Sequence, residues 1–376
     1  MISVIESSDQ PESTTHNCSF KQKLQDIIEN INIAPDLTIS YRDYEPLAIA
    51  EHLQDYLQQL SLVDRDRYLA VKLQQYLYDI CSCDDLQGAE GLTGETVDDE
   101  ESDDTSDREE MANYVKKWSR TKFYQQLTQH NHGKGYRDTD WLVVGQEADY
   151  WQVTKNDLTL YINPEKHLNT PPETLHPGEL VSIQMPSNLV DHGFYIAVGN
   201  AGSTKATDSP QKFLVAQLYF NVAPEGAIIL LDHLTQKLNT AKIPFDFKIA
   251  YDESDFDDLD ATVLDFKTCD FELVYPIVKT IYQENQVYFN STIPFFCQPL
   301  AAGLGFAEKP RSPNFPRENI GQHHCGLIAK ALVELWQENS LLGTDKWDYI
   351  LDYLSQSKVD LEHFYLNSDS TEIYKS

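Results

Sequence analysis

Hydrophobic residues recur at spacings of three and four over the first quarter of the chain, which predicts helices. The segment 20–31 places four of them on one face: Leu24, Ile27, Ile28 and Ile31. The same spacing recurs over residues 44–62 and 65–81. We therefore predict that the chain begins with a helical region.

After residue 140 the hydrophobic period changes to two, which is typical of strands. The predicted strands lie in "WLVVGQ", "YWQVTKNDLTLYIN", "ELVSIQMP", "GFYIAVGN", "FLVAQLYFNV", "PFDFKIAY" and "ATVLDF". Helices are predicted over 224–239, over 271–284 and from residue 320, with two shorter helices behind it, and residues 287–296 are expected to be extended. Because strands follow one another without alternating helices, we expect an α+β fold. It has an N-terminal helical region followed by a mixed, largely antiparallel sheet domain with packed helices.

An acidic run separates the two patterns. Residues 98–110 contain nine acids and one arginine. Because such a run repels itself, we expect a disordered loop over about residues 94–110. The expected domains are therefore a helical region over 1–112, which ends in this loop, and an α+β domain over 113–376.

The net charge of the 376-residue chain is −31, and it is unevenly distributed. Residues 1–112 carry 26 acids and 7 lysines or arginines. Binding to nucleic acid or to an anionic membrane requires a basic surface, so this composition argues against both partners. A local basic pocket inside an acidic shell is still compatible with it.

The six cysteines are sparse and lack the spacing of a disulfide scaffold, which favours a reducing cytoplasm. The N-terminus has neither a basic start nor a long apolar run, so we expect no signal peptide and no membrane span. The chain lacks the glycine fingerprints of nucleotide-binding loops.

The stretch "NIGQHHCGLIAKAL" places His323, His324 and Cys325 near the start of a predicted helix. Consecutive helical residues point about 100° apart, which argues against a metal site and against a Cys–His nucleophile. The free N–H groups and the dipole of a helix start suit an anion, which a histidine can also bind. Arg311 and Arg317 lie just upstream. An ordinary capped helix is the alternative.

Two lysines occur in strand-like surroundings. Lys155 ends "YWQVTK", and Lys248 lies within "PFDFKIAY", on the same face as Asp246. Such a lysine either extends its amine to the surface or, when partly buried, has a lowered pKa and can act as a base. The residues alone leave both interpretations open.

The segment from about Gly133 to Asn367 resembles the HopA family of type III secretion effectors and its bacterial enzyme relatives. The resemblance rests on the order and spacing of several blocks, spread over most of the α+β domain. The blocks are "GKGYRDTDWLVV", "WQVTKNDLTLYI", "PGELVSIQMP", "HGFYIAVGNAG", "LYFNVAPEGAIILLDHLTQKLNTAKIPFDFKI", "PFFCQPLAAGLGFAEKP" and "IGQHHCGLIAKAL".

This resemblance implies a function. The enzyme relatives look like phosphoserine/phosphothreonine lyases of class V lanthipeptide and thioamitide biosynthesis. They act on a precursor peptide after a separate kinase that resembles aminoglycoside phosphotransferases, and they leave dehydroalanine or dehydrobutyrine. The expected partners are thus a phosphorylated precursor peptide and that kinase, without a metal or organic cofactor. The alternative is a non-catalytic effector-like or peptide-binding protein.

Elimination requires a base for the Cα proton and groups that hold the departing phosphate. The hypothesis makes Lys155 or Lys248 the base and His324 the acid or a phosphate ligand. The other lysine joins the expected phosphate-binding residues, which are Lys134, Arg137, Arg311, Arg317 and His323. Asp258 and His324 occupy positions at which the family pattern has arginine, so a phosphate site that used both would be weaker.

Overall fold

The computed structural model describes residues 12–50, 53, 57, 59–82, 121–147, 149–156, 158–168, 175–191, 193–204, 214–311, 318–337, 345–368, 370 and 374. Side chains are described from Phe20 onwards. The predicted acidic loop over 94–110 and the candidate Arg317 lie outside the described residues. The fold below refers to the described ranges.

The α-helices in these ranges are α1 (Glu12–Asn30), α2 (Leu62–Ser82), α3 (Lys122–His130), α4 (Pro164–His167), α5 (Pro224–Thr240), α6 (Phe271–Asn285), α7 (Ile320–Gln337) and α8 (Lys346–Gln356). Short 3₁₀ turns span Glu253–Asp257, Thr268–Asp270 and Gln286–Tyr288. None of the described helices has the combined length and hydrophobicity of a membrane span.

The strands are β1 (Ile31–Ile33), β2 (Ile39–Tyr41), β3 (Arg137–Glu147), β4 (Tyr150–Lys155), β5 (Leu158–Ile162), β6 (Leu180–Gln184), β7 (Asn188–Asp191), β8 (Phe194–Val198), β9 (Val215–Phe220), β10 (Phe245–Ala250), β11 (Thr262–Lys267), β12 (Gln298–Ala301) and β13 (Leu304–Glu308). All pairings between them are antiparallel. The predicted α+β class is confirmed.

The second predicted helix is wrong at its start. Residues 44–50 are not helical, and Leu47 instead pairs with Ile39 in an isolated β-bridge. Pro46 gives the physical reason, because proline has no N–H donor and clashes with the preceding turn inside a helix. Most of the remainder of this predicted helix lies outside the described residues.

The chain divides into two compact units. One, here called the helical unit, contains Met1–Thr96, Pro294–Cys297 and Lys309–Lys375. The other, the sheet unit, contains Val97–Ile293 and Gln298–Glu308. The C-terminal helices α7 and α8 thus belong with the N-terminal helices, a grouping that a division along the chain at residue 112 does not give.

Helix α7 lies against α2 in the helical unit, and α8 lies against α7 and α1. Two glycines permit the close approach of α7. A Cβ atom would lie 3.0 Å from the ring of Tyr78 at Gly321, and 3.1 Å from the amide of Gln74 at Gly326. The apolar face from which α7 was predicted therefore packs within the helical unit, where α7 lies against α2.

The sheet unit contains a seven-stranded sheet with the order β12-β13-β9-β11-β10-β8-β7. One face of β10 carries the buried Phe245, Phe247 and Ile249, and α5 contacts this strand and α6. The alternation expected for "PFDFKIAY" is confirmed, so Asp246 and Lys248 lie on the opposite face.

A second sheet of the same unit has four strands in the order β5-β4-β3-β6. Its inner face carries a buried cluster that includes Trp141, Val143, Trp151, Val153 and Ile183. Hydrophobic residues alternate with exposed ones along each strand, as the period of two predicts.

Candidate functional site

Polar side chains form a cross-strand row on the second face of the seven-stranded sheet. In the register of the sheet, Asp246 of β10 lies opposite Asp265 of β11, and Asp265 lies opposite Gln217 of β9. All three side chains are buried. Burying two carboxylates side by side is unfavourable unless cations or hydrogen bonds compensate. The row therefore requires partners, and Lys248 is the first of them.

Lys248 forms an ion pair with the buried Asp265. Its Nζ lies 2.8 Å from Oδ2 of Asp265, and only 19% of its side chain is exposed. Burial lowers the pKa of Lys248, but the charge and hydrogen bond of Asp265 and the charges of Asp246 and Asp260 outweigh burial and raise it. The direction of this shift favours a charged Lys248 over a neutral base, and its catalytic role stays a prediction.

Asp265 is held from its other side. Gln217 Nε2 donates to Asp265 Oδ1 at 2.9 Å, and the Tyr219 hydroxyl donates to Gln217 Oε1 at 2.9 Å. Each group in this chain thus orients the next. The result is a fixed carboxylate that fixes the position of the Lys248 ammonium.

Asp246 is held by a loop rather than by a lysine. Ser203 Oγ and the backbone N–H of Thr204 each donate to its Oδ2 at 2.9 Å, and the Thr204 hydroxyl donates to the same oxygen. Burial raises the pKa of Asp246, and the charge of Asp265 raises it further, while the hydrogen bonds from Thr204 and Ser203 lower it. Asp246 is therefore a carboxylate with more affinity for a proton than an ordinary one.

Lys155 at the end of β4 is also paired. Its Nζ donates to Asp138 Oδ1 and to the carbonyl oxygen of Thr139, both at 2.8 Å. The other oxygen of Asp138 accepts from the indole N–H of Trp141 at 2.8 Å. Lys155 and Asp138 are 11% and 12% exposed, so their geometry is fixed and partly shielded from water.

The pKa of Tyr136 is shifted by charged groups of both lysine clusters. Its pKa is raised to about 12, first by burial and then by the charges of Asp138 and Asp246, while the charge of Lys155 lowers it. The charges of Asp138 and Asp246 therefore both contribute to the raised pKa of Tyr136. A Cβ atom at Gly202 would lie 3.9 Å from the Tyr136 ring, so the loop that holds Asp246 also borders Tyr136.

Lys134 lies beside this loop as well. Its backbone N–H donates to Asn200 Oδ1 at 2.6 Å, and its side chain is exposed. The next residue, Gly135, has a φ of 75°, and a Cβ atom there would lie 2.0 Å from the carbonyl oxygen of Met185. Only glycine fits this turn, which carries the chain from Lys134 to Tyr136.

Arg137 does not join these groups. Strand alternation places it on the face of the four-stranded sheet opposite to Asp138 and Lys155. Its Nη1 donates to the carbonyl oxygen of Ser182 at 3.2 Å. This position is on the other face from the lysine cluster, and the role of Arg137 as a phosphate ligand stays a prediction.

His324 lies in the core of the helical unit. Its side chain is 3% exposed, and its Nε2 lies 2.7 Å from the carbonyl oxygen of Phe364, so it donates its N–H there. The other nitrogen, Nδ1, has no hydrogen-bond partner in the described part of the chain. Burial lowers its pKa to about 4, against the backbone hydrogen bond, which raises it. A neutral, buried imidazole does not fit the expected role as an acid or phosphate ligand.

The N-terminus of α7 is capped by side chains at its own start. Asn319 Oδ1 accepts from the N–H of Gln322 at 2.8 Å, and Gln322 Oε1 accepts from the N–H of Asn319 at 3.0 Å. This reciprocal capping box uses N–H groups that an anion would require. The Tyr78 hydroxyl accepts from Asn319 Nδ2 at 2.7 Å and fixes the cap.

His323 faces a carboxylate. Its Nδ1 lies 3.6 Å from Glu318 Oε2, and Glu318 also accepts from Gln74 at 2.9 Å. Burial raises the pKa of Glu318, but hydrogen bonds from His323 and Gln74 and the charges of His323 and Lys330 lower it overall. A phosphate at His323 competes with this carboxylate, so its expected role stays a prediction.

Arg311 is exposed and its backbone N–H donates to Asn367 Oδ1 at 3.3 Å. Its role as a phosphate ligand stays a prediction, as does that of Arg317. Asp258, where the family pattern has arginine, is exposed and ends the 3₁₀ turn Glu253–Asp257. It lies two residues before Asp260, whose charge acts on Lys248.

Neither a metal site nor a reactive thiol forms at the His-Cys stretch. Among the residues that the structure describes, no cluster of three or more His, Cys, Asp or Glu side chains has the geometry to hold a metal ion. Cys325 is buried, and burial together with the hydrogen bond and charge of Cys81 raises its pKa well above the usual value. A thiol in such surroundings is a poor nucleophile.

The sequence interpretation missed the carboxylates that hold the two lysines. Asp138 lies in the quoted block "GKGYRDTDW", and Asp265 lies in "ATVLDF" at an inward position of a strand. A charged residue at a core position of a predicted strand is the signal that could have found Asp265. The role of Tyr136 depends on a turn and has no comparable signal.

The sequence was compared with known protein families and the fold with solved structures. Residues 185–366 match the profile of the HopA1 effector protein family, which confirms the resemblance over that segment. The effector protein from Pseudomonas syringae pv. tomato strain DC3000 is 16% identical, with 65% of this chain and 79% of that chain covered and a TM-score of 0.38. The effector from Pseudomonas syringae pv. syringae strain 61 is 14% identical, with 65% and 80% covered and a TM-score of 0.38. No curated protein matches the chain.

Proposed function

Residues 185–366 match the profile of the HopA1 effector protein family, and on the resemblance to that family we propose that this chain is a lyase that acts on a phosphorylated peptide. It eliminates phosphate from phosphoserine or phosphothreonine and leaves dehydroalanine or dehydrobutyrine. The observation that carries this proposal is a pair of shielded lysines in the sheet unit, each fixed at 2.8 Å from a carboxylate: Lys155 from Asp138 and Lys248 from Asp265. Titratable groups with perturbed environments are typical of catalytic sites.

The reaction sets the requirements for the site. A base takes the Cα proton, the electron pair of that C–H bond forms the Cα=Cβ double bond, and the Cβ–O bond breaks. Phosphate leaves with the bonding electrons. Negative charge develops on the peptide carbonyl oxygen and on the departing phosphate, so fixed cations and hydrogen-bond donors accelerate the reaction.

Lys248 supplies the fixed cation in this proposal. Asp265, Gln217 and Tyr219 hold its ammonium in place, and its raised pKa keeps it charged. A preorganised ammonium stabilises the developing charge without reorganising during the reaction. Lys248 therefore acts on the anion and not on the Cα proton.

Lys155 is the proposed base. It is the second shielded lysine of the site, and Asp138 and Thr139 fix the position of its amine. For this step Lys155 first releases a proton to solvent, and the neutral amine then takes the Cα proton and becomes an ammonium again. The exposed Lys134 lies beside the Asn200 loop and binds the phosphate as it leaves.

The same proposal gives the chain its partners. A kinase of the aminoglycoside-phosphotransferase type phosphorylates the precursor peptide, and this chain acts on the product in the cytoplasm. The reaction belongs to the biosynthesis of a ribosomally made, modified peptide. The electron pairs and protons balance among peptide, lysine, solvent and phosphate, so the proposal requires no cofactor.

The test uses purified protein and a precursor peptide phosphorylated by a kinase of the aminoglycoside-phosphotransferase type. Loss of phosphoric acid from the peptide, followed by mass spectrometry, reports elimination. We expect elimination by the native chain and its loss in Lys155→Ala and in Lys248→Ala. Full activity in both variants contradicts lysine catalysis.

A second candidate function is peptide binding without catalysis. The complete pairing of Lys155 and Lys248 with carboxylates favours it, because neither amine is prepared as a base before a substrate arrives. Binding of the unphosphorylated precursor, measured by calorimetry, together with no elimination from the phosphorylated form, would support this candidate over the lyase.

A further inference from the structure

The outer face of the four-stranded sheet exposes large apolar side chains. The inner face buries Trp141, Val143, Trp151 and Val153, as expected for a packed core. The outer face carries five residues that are 39% to 65% exposed, which are Leu142, Val144, Tyr150, Tyr161 and Leu180. A sheet face that meets only water is normally polar.

Two of these apolar residues are direct cross-strand neighbours, and two others lie on either side of Gln152. Leu142 of β3 lies directly opposite Leu180 of β6. A bulge between Val143 and Gly145 keeps Val144 on this outer face beside Gln152, and Gln152 lies opposite Tyr161 of β5. Neighbouring exposed apolar residues of this kind mark an interaction site more often than single exposed residues do.

Opposite charges stand at the two ends of the same face. Arg137 begins β3 and is exposed, opposite Gln184. Glu147 ends β3 and is exposed, opposite Tyr150. Register shifts occur in β3 between Asp138 and Trp141 and between Val143 and Gly145, and with these shifts Arg137 and Glu147 lie on the same face as Leu142. The face is therefore positive at one end, apolar in the middle and negative at the other end.

We propose that this outer face binds the same face of a second copy of the chain. A two-fold axis between the sheets, perpendicular to the strands, sets the two β3 strands antiparallel and the two apolar centres against each other. Arg137 then meets Glu147 of the second copy, and the pair occurs twice. A two-fold axis parallel to the strands instead brings like charges together, so the charge pattern selects the antiparallel arrangement.

The size of the face sets the strength of this dimer. Four strands spaced ~4.8 Å apart and about five to six residues long cover about 300–400 Å² per copy. The two copies together bury about 600–800 Å², which is below a standard stable interface, so the dimer is weak and transient. The charge of −31 per chain adds repulsion that salt screens, so association strengthens from low to moderate salt.

Sedimentation velocity of the full chain at moderate salt, from low to high micromolar concentration, tests the proposal. We expect a reversible monomer–dimer equilibrium. Leu142→Glu buries a charge at the centre of the interface and weakens the dimer by at least about tenfold. Leu273→Glu is the control, because Leu273 is an exposed leucine on α6 outside this face, and it leaves the equilibrium unchanged. Circular dichroism confirms that both variants are folded.

A charge exchange tests the arrangement. Arg137→Glu and Glu147→Arg each weaken the dimer by about threefold, and the double variant restores it, because the pair is exposed and of modest strength. A chain that is monomeric at all concentrations overturns the proposal, as does a dimer that Leu142→Glu does not weaken. A double variant weaker than both single variants overturns the antiparallel arrangement.

Discussion

The lysine clusters of the sheet unit and the histidine stretch of the helical unit both place a basic side chain among apolar neighbours, yet their environments differ. Lys155 and Lys248 each have a carboxylate at 2.8 Å. His324 has a backbone carbonyl at 2.7 Å and a pKa lowered to about 4. The sheet unit keeps its partly buried lysines charged beside carboxylates, whereas the helical unit keeps its buried histidine neutral.

The chemistry of the two side chains explains this difference. A lysine that is taken out of water keeps its proton only if a counter-charge is buried with it, and then the pair is strongly coupled. A histidine can lose its proton at little cost and then packs as a neutral ring. A basic residue near a predicted core therefore indicates a charged site more strongly when it is a lysine than when it is a histidine.

The largest expected effect concerns the different roles of the two lysines. Arginine keeps the charge but does not release its proton at neutral pH. Lys155→Arg should therefore lower the elimination rate by about 10²–10⁴-fold, the usual contribution of a general base. Lys248→Arg should keep the rate within about tenfold. Single-turnover measurements on the phosphorylated precursor provide the comparison, and equal losses in the two variants would reject the assignment.

The next effect concerns the stability of the buried pair. Asp265→Ala leaves the Lys248 ammonium buried without its partner and should lower the free energy of unfolding by about 3–5 kcal/mol. The double variant Asp265→Leu with Lys248→Met removes both charges and should regain most of that loss. Urea denaturation measures both changes. A loss below about 1 kcal/mol in Asp265→Ala would mean that the pair is solvated.

A smaller effect is expected from the pH dependence of His324. The pKa of its imidazole is about 4 in the folded chain and about 6.5 in the unfolded chain. Between these values the unfolded chain binds a proton that the folded chain does not. The free energy of unfolding therefore falls as pH drops from about 6.5 to about 4, by about 3 kcal/mol in full.

The variant His324→Leu isolates this contribution. Asp79, whose pKa burial raises to about 6, acts with the opposite sign over part of the same range and is present in both proteins. The stability of the parent relative to the variant should therefore decline on acidification. Urea denaturation at several pH values gives the two curves, and parallel curves would show that His324 does not titrate in this way.

The smallest effect concerns the cap of α7. Asn319→Ala removes the side-chain bond to Gln322 and the bond to Tyr78, and should cost about 1–2 kcal/mol. Asn319→Ser keeps a capping oxygen and should cost less, about 0.5 kcal/mol. Thermal denaturation separates the two variants. If both cost the same, the bond to Tyr78 rather than the cap stabilises this end of the helix.

The sequence predicted the regular elements well where the hydrophobic pattern continued over many residues and defined one hydrophobic face. The helices over 224–239 and 271–284 match α5 and α6 within one residue, and "PFDFKIAY" alternates as expected. The short strands β1, β2, β7, β12 and β13 were not predicted, because three to five residues carry too little periodicity, and β12 and β13 also contain proline and glycine. Residues 287–296, expected to be extended, begin with a 3₁₀ turn.

The candidate site was predicted only in part. The two lysines were identified from their strand context, but the partners that fix their charge come from other strands. Asp138 reaches Lys155 from β3, and Asp265 reaches Lys248 from β11. Such cross-strand pairs depend on register, which a single sequence specifies poorly. The burial of His324 depends on the packing of Phe364, forty residues away.

The most direct test of the central claim compares the two regions in one reaction. The rate of phosphate elimination from the phosphorylated precursor should be measured for the double variant Lys155→Ala with Lys248→Ala and for His323→Ala. We predict that the lysine variant loses elimination and that His323→Ala stays within about threefold of the native rate. Elimination that survives loss of both lysines but disappears with His323 would contradict the assignment of the chemistry to the sheet unit.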